Sequence, residues 1–184
     1  MTAYRKITPE KILDAAYAVF CREGMEKVSA RQVAREAGCS TQPLFSCFTN
    51  MEEVRDALEK RVVGDFHAAL EAPLESEDAL LDWCRAYVRF AGENRRAFYH
   101  LFSETHLGPE ALHGEDGLYP RLVEVAVRQE GPDEGKAREH IERACLYANG
   151  LAFLLANGSH DLTADEACRK LEETIGAARK RIRG

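Results

Sequence analysis

The sequence lacks the features of several protein classes. Its 184 residues contain no apolar run that approaches the ~20 residues a helix needs to cross a bilayer. The start of the chain is polar and charged, so we expect no secretory leader, no membrane partner and a cytoplasmic location. β-Branched residues are scarce, and no stretch alternates for long between polar and apolar side chains. The sequence therefore predicts an all-α protein.

Motifs of catalysis are also missing. We find no GxSxG, no glycine-rich phosphate loop, no HExxH and no triad-like spacing of nucleophile and base. The chain is therefore not expected to be an enzyme or to hold a cofactor.

Cysteine and histidine occur without metal-binding patterns. The six cysteines include no CxxC pair, and none lies at zinc-ligand spacing from a histidine, so we expect reduced, mostly buried thiols. A thiol sensor at Cys39 and Cys47 remains an open alternative, and these two cysteines flank the segment 40–46. The spacing of His100, His106 and His113, amid acidic residues, favours a solvated loop over a metal site.

The most informative segment, residues 29–48, has the spacing of a helix-turn-helix. Ser29 can cap a first helix, and Gln32, three residues on, would complete a capping box. Gly38 can take the left-handed conformation that ends a helix, and Ser40 can cap the next one.

The second helix of this segment has an inner and an outer face. Leu44 and Phe48, at positions i and i+4, are predicted to face the core. A glutamine amide can bond the N6 and N7 atoms of adenine, and proline or a threonine methyl can contact a thymine methyl. The predicted outer face consists of Thr41, Gln42, Pro43 and Ser46, with Phe45 at its border.

Helical signals continue along the whole chain. Thr8 and Pro9 predict the start of a first helix, and Asn50 with Glu53 predicts a capping box for a long fourth helix that stops before Pro73. Thr163 with Glu166 predicts a cap for the last helix, which ends in the basic run of residues 179–181 and so includes Arg179. About nine helices result, with loop or short helical turns over residues 105–117.

Residues 8–61 resemble the DNA-binding domain of the TetR (tetracycline-repressor-like) family. The family's VxxVAxxAGxSxxxLYxHF-like segment corresponds to VSARQVAREAGCSTQPLFSCF here. The resemblance covers about a third of the chain. It implies a helix-turn-helix head over residues 1–50, a connecting helix over 51–72 and a ligand-binding and dimerisation domain over 73–184.

The resemblance also implies a function. We expect a ligand-responsive transcriptional repressor that binds a palindromic operator in double-stranded DNA as a homodimer and is switched by a small-molecule effector. A ligand would favour a different tilt of the fourth helix and shift the equilibrium by its differential affinity for the two shapes.

The resemblance assigns DNA-binding residues but also shows departures. Phe45, Cys47 and Met51 replace the family's usual Tyr, His and Lys, which commonly contact phosphates, and each replacement removes salt-dependent affinity. Phosphate contacts remain possible from an arm at Arg5 and Lys6. The assigned DNA-binding residues are Arg31, Ser40, Thr41, Gln42, Pro43, Phe45, Ser46 and Cys47.

Positive charge is concentrated in the part of the chain that is proposed to bind DNA. The net charge is −6, but residues 1–48 carry 7 basic and 5 acidic side chains, a net +2. The acidic excess therefore lies outside the proposed DNA-binding part.

The C-terminal part is predicted to hold a pocket and a dimer interface. Aromatic side chains in it are either core or pocket, and the candidate ligand-binding residues are Trp83, Tyr87, Phe102, Tyr147, Asn149 and Phe153. Two long C-terminal helices with broad apolar faces would form a twofold four-helix interface, or else pack in the core of a monomer. The candidate interface residues are Leu146, Gly150, Leu154, Leu171 and Ile175.

A second function stays open. The missing Tyr, His and Lys contacts are compatible with a helical protein of the same fold that binds a protein partner or a small molecule without sequence-specific DNA binding.

Overall fold

A computed structural model describes residues 7–105, 107–114, 117–131, 133–158 and 161–183, without the side chains of 181–183. These residues form ten α-helices and no strand, which confirms the all-α prediction of about nine helices. The additional helix, α7, is short and lies where loop or helical turns were predicted. The helices are α1 (Pro9–Glu23), α2 (Ala30–Glu36), α3 (Thr41–Cys47), α4 (Met51–Glu71), α5 (Ala79–Glu93), α6 (Arg95–Tyr99), α7 (Leu107–His113), α8 (Leu118–Glu130), α9 (Glu134–Asn157) and α10 (Ala164–Arg183).

Several helix starts follow the predicted side-chain caps. The Thr8 hydroxyl accepts a hydrogen bond from the backbone N–H of Lys11 at 3.4 Å, with Pro9 in the first turn of α1. Asn50 Oδ1 accepts from the Glu53 N–H at 2.9 Å at the start of α4. At the start of α10, Thr163 and Glu166 bond each other's backbone N–H, a complete capping box.

The predicted capping box at α2 is wrong. Ser29 occupies the N-cap position, but its side chain makes no cap hydrogen bond. Gln32 cannot reach back to Ser29 because its amide is engaged elsewhere: Nε2 donates to Glu23 Oε2 at 3.3 Å, and Oε1 accepts from Arg35. The side chain thus links α2 to the end of α1.

The chain divides into two compact units, one ending at Val62 and the other beginning at Val63. The division falls within α4, the helix that was predicted to connect the two parts. In the first unit, α1 packs on α2 and α3. The buried side chains of these three helices and their connections are Ile12, Ala15, Ala16, Val19, Phe20, Val28, Val33, Ala34 and Leu44.

The second unit is built on the packing of α5 against α9, with α8 and α10 beside them. An aromatic cluster lies in its core, where Phe66 meets Phe90 and Phe102 edge-to-face at ring-centre distances of 5.2 and 5.5 Å. α6 continues as a π-helix over His100–Glu104. No helix in the described ranges has the length and apolar character needed to cross a membrane.

A buried ionic cluster joins three helices of the second unit. Arg179 of α10 donates to Asp78, the N-cap of α5, at 2.5 Å and to Glu130, the last residue of α8, at 2.6 Å. The Glu130 side chain is only 1% exposed. Hydrogen bonding to Arg179 lowers the pKa of Asp78, and the same bond raises the pKa of Arg179. His140 of α9 lies beside the cluster, with Nε2 3.8 Å from Glu130 Oε2.

Candidate nucleic-acid interface and ligand pocket

A tight turn fixes α3 relative to α2. Gly38 has φ +68°, the left-handed conformation predicted for it. The Cys39 N–H donates to the Ala34 carbonyl at 2.9 Å, which closes the end of α2. Leu44 is fully buried and anchors α3 to the core of the first unit. Because α3 is held by its inner face, its outer face is presented as a rigid surface.

The outer face of α3 is polar and open. Thr41, Gln42 and Ser46 are exposed, as is Ser40 at the N-cap, whose hydroxyl makes no cap bond. The Gln42 amide makes no hydrogen bond to the described part of the chain, although the Ser46 hydroxyl donates to the Gln42 carbonyl at 3.1 Å. Both ends of the Gln42 amide are therefore available to a base edge.

The less polar residues that were predicted to bind DNA differ in their exposure. Phe45 is 48% exposed and stands at the border of the outer face, as predicted, and Pro43 is half-buried. Cys47 is also half-buried, with Sγ 3.9 Å from the Ile7 carbonyl oxygen. Its thiol and that of Cys39 are free, so the thiol-sensor alternative remains open.

Arg31 is the basic side chain of α2 that is available to phosphate. It is exposed and makes no ion pair within the described residues. Arg35, on the same helix, donates to Gln32. Arg22, at the end of α1, is already engaged with carboxylates on two helices, at 3.0 Å each. Arg5 and Lys6, the predicted N-terminal arm, lie outside the described residues.

The second unit contains a cavity of about 480 Å³. Five of the six predicted ligand-binding residues line it, and the sixth, Tyr147, does not: its side chain is 36% exposed on a neighbouring face of α9. The lining residues are Trp83, Tyr87, Phe102, Pro109, Leu112, His113, Tyr119, Glu142, Cys145, Leu146, Asn149 and Phe153.

Aromatic rings and one hydrogen bond order the inner wall of the cavity. Trp83 stacks on Tyr87 with ring centres 5.6 Å apart. The Tyr87 hydroxyl donates to Asn149 Oδ1 at 2.9 Å. Burial raises the pKa of Tyr87, so the phenol stays neutral at physiological pH. The Trp83 Nε1–H is buried and has no partner among the described residues.

Seven lining residues were not predicted. Pro109, Leu112 and His113 come from α7, and the remaining four are Tyr119, Glu142, Cys145 and Leu146. The sequence did contain a signal for the three on α9, because Glu142, Cys145, Leu146, Asn149 and Phe153 recur at spacings of three and four residues and share one side of the helix.

The histidines of this region do not meet. His100 is buried in the π-helical segment and pairs with Glu104 at 2.8 Å, whereas His113 borders the cavity. His106, Glu115 and Asp116 lie outside the described residues. Within the described ranges no group of three metal-ligating side chains comes together.

α9 also presents an outward face next to the cavity. Tyr147, Gly150 and Leu154 follow one another at helical spacing and are exposed, with Leu154 37% accessible despite its apolar side chain. Among the other predicted interface residues, Leu146 is 65% exposed at the edge of the cavity. Leu171 and Ile175 were also predicted at the interface, but both are buried within the second unit and do not reach a surface that a second copy could contact.

Comparison with known proteins identifies the first unit. Residues 12–58 match the family model described as bacterial regulatory proteins, tetR family. Residues 12–58 are therefore similar to the N-terminal DNA-binding domain of this family. The match confirms the resemblance carried by the sequence, and it contains all of the turn, α2 and α3.

The whole chain has the fold of TetR-like proteins of known structure. A TetR-like transcriptional regulator from Rhodococcus sp. RHA1 superposes with a TM-score of 0.61 and 21% identity, over 90% of this chain and 92% of that one. SmeT, the repressor of the Stenotrophomonas maltophilia multidrug efflux pump SmeDEF, gives 0.61 and 20%, over 94% and 90%.

A third neighbour is the fatty acid degradation regulator FadR from Bacillus halodurans, with a TM-score of 0.60 and 16% identity over 93% of this chain and 94% of that one. No curated protein sequence matches the chain. At these identities the neighbours establish the fold of the second unit, and its ligand has to be inferred from its own cavity.

Proposed function

We propose that this protein is a ligand-responsive transcriptional repressor that binds a palindromic operator as a homodimer. The observation that carries the proposal is the outer face of α3, where exposed Thr41, Gln42 and Ser46 extend from a buried Leu44 anchor in a TetR-family domain. Side chains on a recognition helix can read base edges in the major groove.

Direct readout and backbone attachment are assigned to different residues. Gln42 has the side chain best suited to a base edge, because its unbonded amide can accept from and donate to adenine. Arg31 is assigned to phosphate, since its guanidinium is exposed and unpaired within the described residues. Ser40 and Thr41 are placed at the backbone, and Pro43, Phe45 and Cys47 at the apolar margin of the contact.

A homodimer would give this small reading surface its specificity. One seven-residue helix contacts few base pairs, whereas a twofold dimer reads two half-sites roughly one helical turn apart. The exposed apolar side chains of α9 are the surface we assign to the second copy. Two neighbours of this fold are a multidrug-pump repressor and a fatty acid degradation regulator, which supports a regulatory role.

The effector would act by shifting the equilibrium between two shapes of the protein, one that binds DNA and one that does not. Occupancy of the cavity changes DNA affinity only if the ligand binds the DNA-competent and DNA-incompetent shapes with different affinities. A coupling of about 1–3 kcal/mol is typical of such systems.

One observation favours the second candidate function. α3 carries no basic side chain, and Phe45 and Cys47 stand where the TetR pattern has Tyr and His. A protein of this fold that binds a protein or small molecule without reading DNA would need none of those phosphate contacts.

Selection of binding sites from randomised duplex DNA discriminates between the two candidates. The repressor hypothesis predicts enrichment of an inverted repeat, bound with an affinity that falls as salt rises. Retention of the DNA pool without sequence enrichment, or no retention at low salt, would favour the second candidate.

Gln42→Ala is expected to relax sequence preference at one position of each half-site and to cost about 1–3 kcal/mol of binding free energy. The matched variant Arg31→Ala should instead weaken binding to all sequences about equally and reduce the salt slope by about 1. Fluorescence anisotropy on the selected site and its single-base variants measures both effects. Unchanged base selectivity in Gln42→Ala would rule out the role assigned to this residue.

A further inference from the structure

The charges around the cavity of the second unit are of one sign. Among its twelve lining residues, Glu142 is the one carboxylate, and none is lysine or arginine. His113 is the one lining side chain that can become positive, and it does so only when protonated. The remaining wall is dominated by the rings of Trp83, Tyr87, Phe102, Tyr119 and Phe153.

Glu142 is not neutralised by the neighbouring helix surface. Glu134 and Glu139, on the same helix, each pair with an arginine four residues later, at 2.7 and 2.6 Å. These pairs engage Arg138 and Arg143, the two basic side chains closest to Glu142 in sequence. Glu142 itself has no ion-pair partner within the described residues, so its carboxylate is available to a ligand at the cavity.

Glu142 lies close to the aromatic wall. Burial raises the pKa of the Tyr119 phenol, and Cys145 and Glu142 nearby add to that rise, while the charge of Arg138, which is paired with Glu134, opposes it. A positive group placed near this wall would gain Coulomb attraction to Glu142 and cation–π attraction to the rings. An anion in the same place would lie beside a carboxylate, with no lysine or arginine among the described residues that line the cavity.

We propose that the cavity binds aromatic cations: ligands with an aromatic body that packs on the Trp83–Tyr87 wall and a positive group that pairs with Glu142. Such ligands would be the effectors of the proposed repressor, and this regulatory role rests on the proposed function. The cavity volume of about 480 Å³ suits one drug-sized molecule.

A pair of ions of similar shape and opposite charge tests the charge preference. Tetraphenylphosphonium and tetraphenylborate each carry four phenyl rings around a central atom. Trp83 is the only tryptophan in the chain and lines the cavity, so its fluorescence reports occupancy directly. At pH 8 we expect saturable quenching by the cation and affinity for the anion at least about tenfold weaker. Equal or tighter binding of the anion would overturn the proposal, as would the absence of saturable binding by either ion.

Glu142→Gln tests the residue that carries the preference. This substitution should weaken tetraphenylphosphonium binding roughly three- to tenfold. It should also reduce the difference in affinity between the cation and the anion. Glu173→Gln removes the same charge from an exposed position of α10 outside the cavity, where Glu173 makes no ion pair within the described residues. This control should leave the difference in affinity between the two ions unchanged. Equal effects of the two substitutions would contradict a specific role of Glu142.

The proposal can fail independently of the proposed function. Binding of the selected operator by protein that shows no charge preference would remove the effector class and leave the repressor assignment intact. Cation-selective quenching in a protein that enriches no DNA sequence would sustain the ligand class and remove the repressor.

Discussion

Leu154→Glu is expected to convert the protein to a monomer and to weaken operator binding by roughly a hundredfold to ten-thousandfold. Leu154 lies 37% exposed on the outward face of α9, beside Tyr147 and Gly150. A carboxylate there would be buried against a second copy without a partner, and twofold symmetry would introduce it twice. In a dimer, binding of one recognition helix holds the second one near its half-site, and a monomer loses this gain in affinity.

Sedimentation and operator titration measure this effect together. Tyr99→Glu is the matched control, since Tyr99 is a similarly exposed apolar residue, 40% accessible, on α6. The control should remain dimeric and bind the operator normally. A Leu154→Glu variant that stays dimeric would contradict the interface assigned to α9.

Arg179→Ala is expected to lower the free energy of unfolding by about 3–5 kcal/mol. The substitution leaves Glu130 buried without its ionic partner and removes the two bonds to Asp78 that tie α10 to the start of α5. Urea denaturation measures the loss. Adding Glu130→Gln to Arg179→Ala should recover part of it, because the second change removes the unpaired buried charge; no recovery would show that lost packing dominates.

Acid stability gives an independent readout of the same cluster. Arg179 lowers the pKa of Asp78 in the folded protein below its unfolded value of about 3.9. The stabilisation from Asp78 is therefore complete above that unfolded value and is lost as pH falls through the lower, folded pKa. In Arg179→Ala this acid-dependent loss should shrink. An identical acid dependence in the variant and the parent would contradict the coupling.

Local signals in the sequence predicted the first unit well. The conformation of Gly38, the burial of Leu44 and the exposure of Gln42 depend on helix period and on the backbone preferences of a few residues. The same holds for the capping box at Thr163, whose partners are three residues apart. Gln32 shows the limit: its partner Glu23 is nine residues away on another helix, and this tertiary bond replaces the local cap.

The second unit required information that spacing does not contain. Periodicity identified the aromatic side chains but could not separate Tyr87, which lines the cavity, from Tyr147, which points outward on α9. The segment of α7 was predicted only as a loop or short helical turns, because its glycine, proline and acidic residues favour a loop locally. Arg179 was predicted only as part of a basic helix end, since its partners lie 49 and 101 residues away.

Site-specific photo-cross-linking tests most directly whether α3 reads DNA. Phe45, exposed at the border of its outer face, would be replaced by benzoylphenylalanine and irradiated on the selected operator. Tyr99 of α6, replaced in the same way, is the control. Our account predicts cross-links to bases of the half-site from position 45 and none from position 99. Cross-links from position 45 to protein alone, or equal DNA cross-linking from both positions, would contradict it.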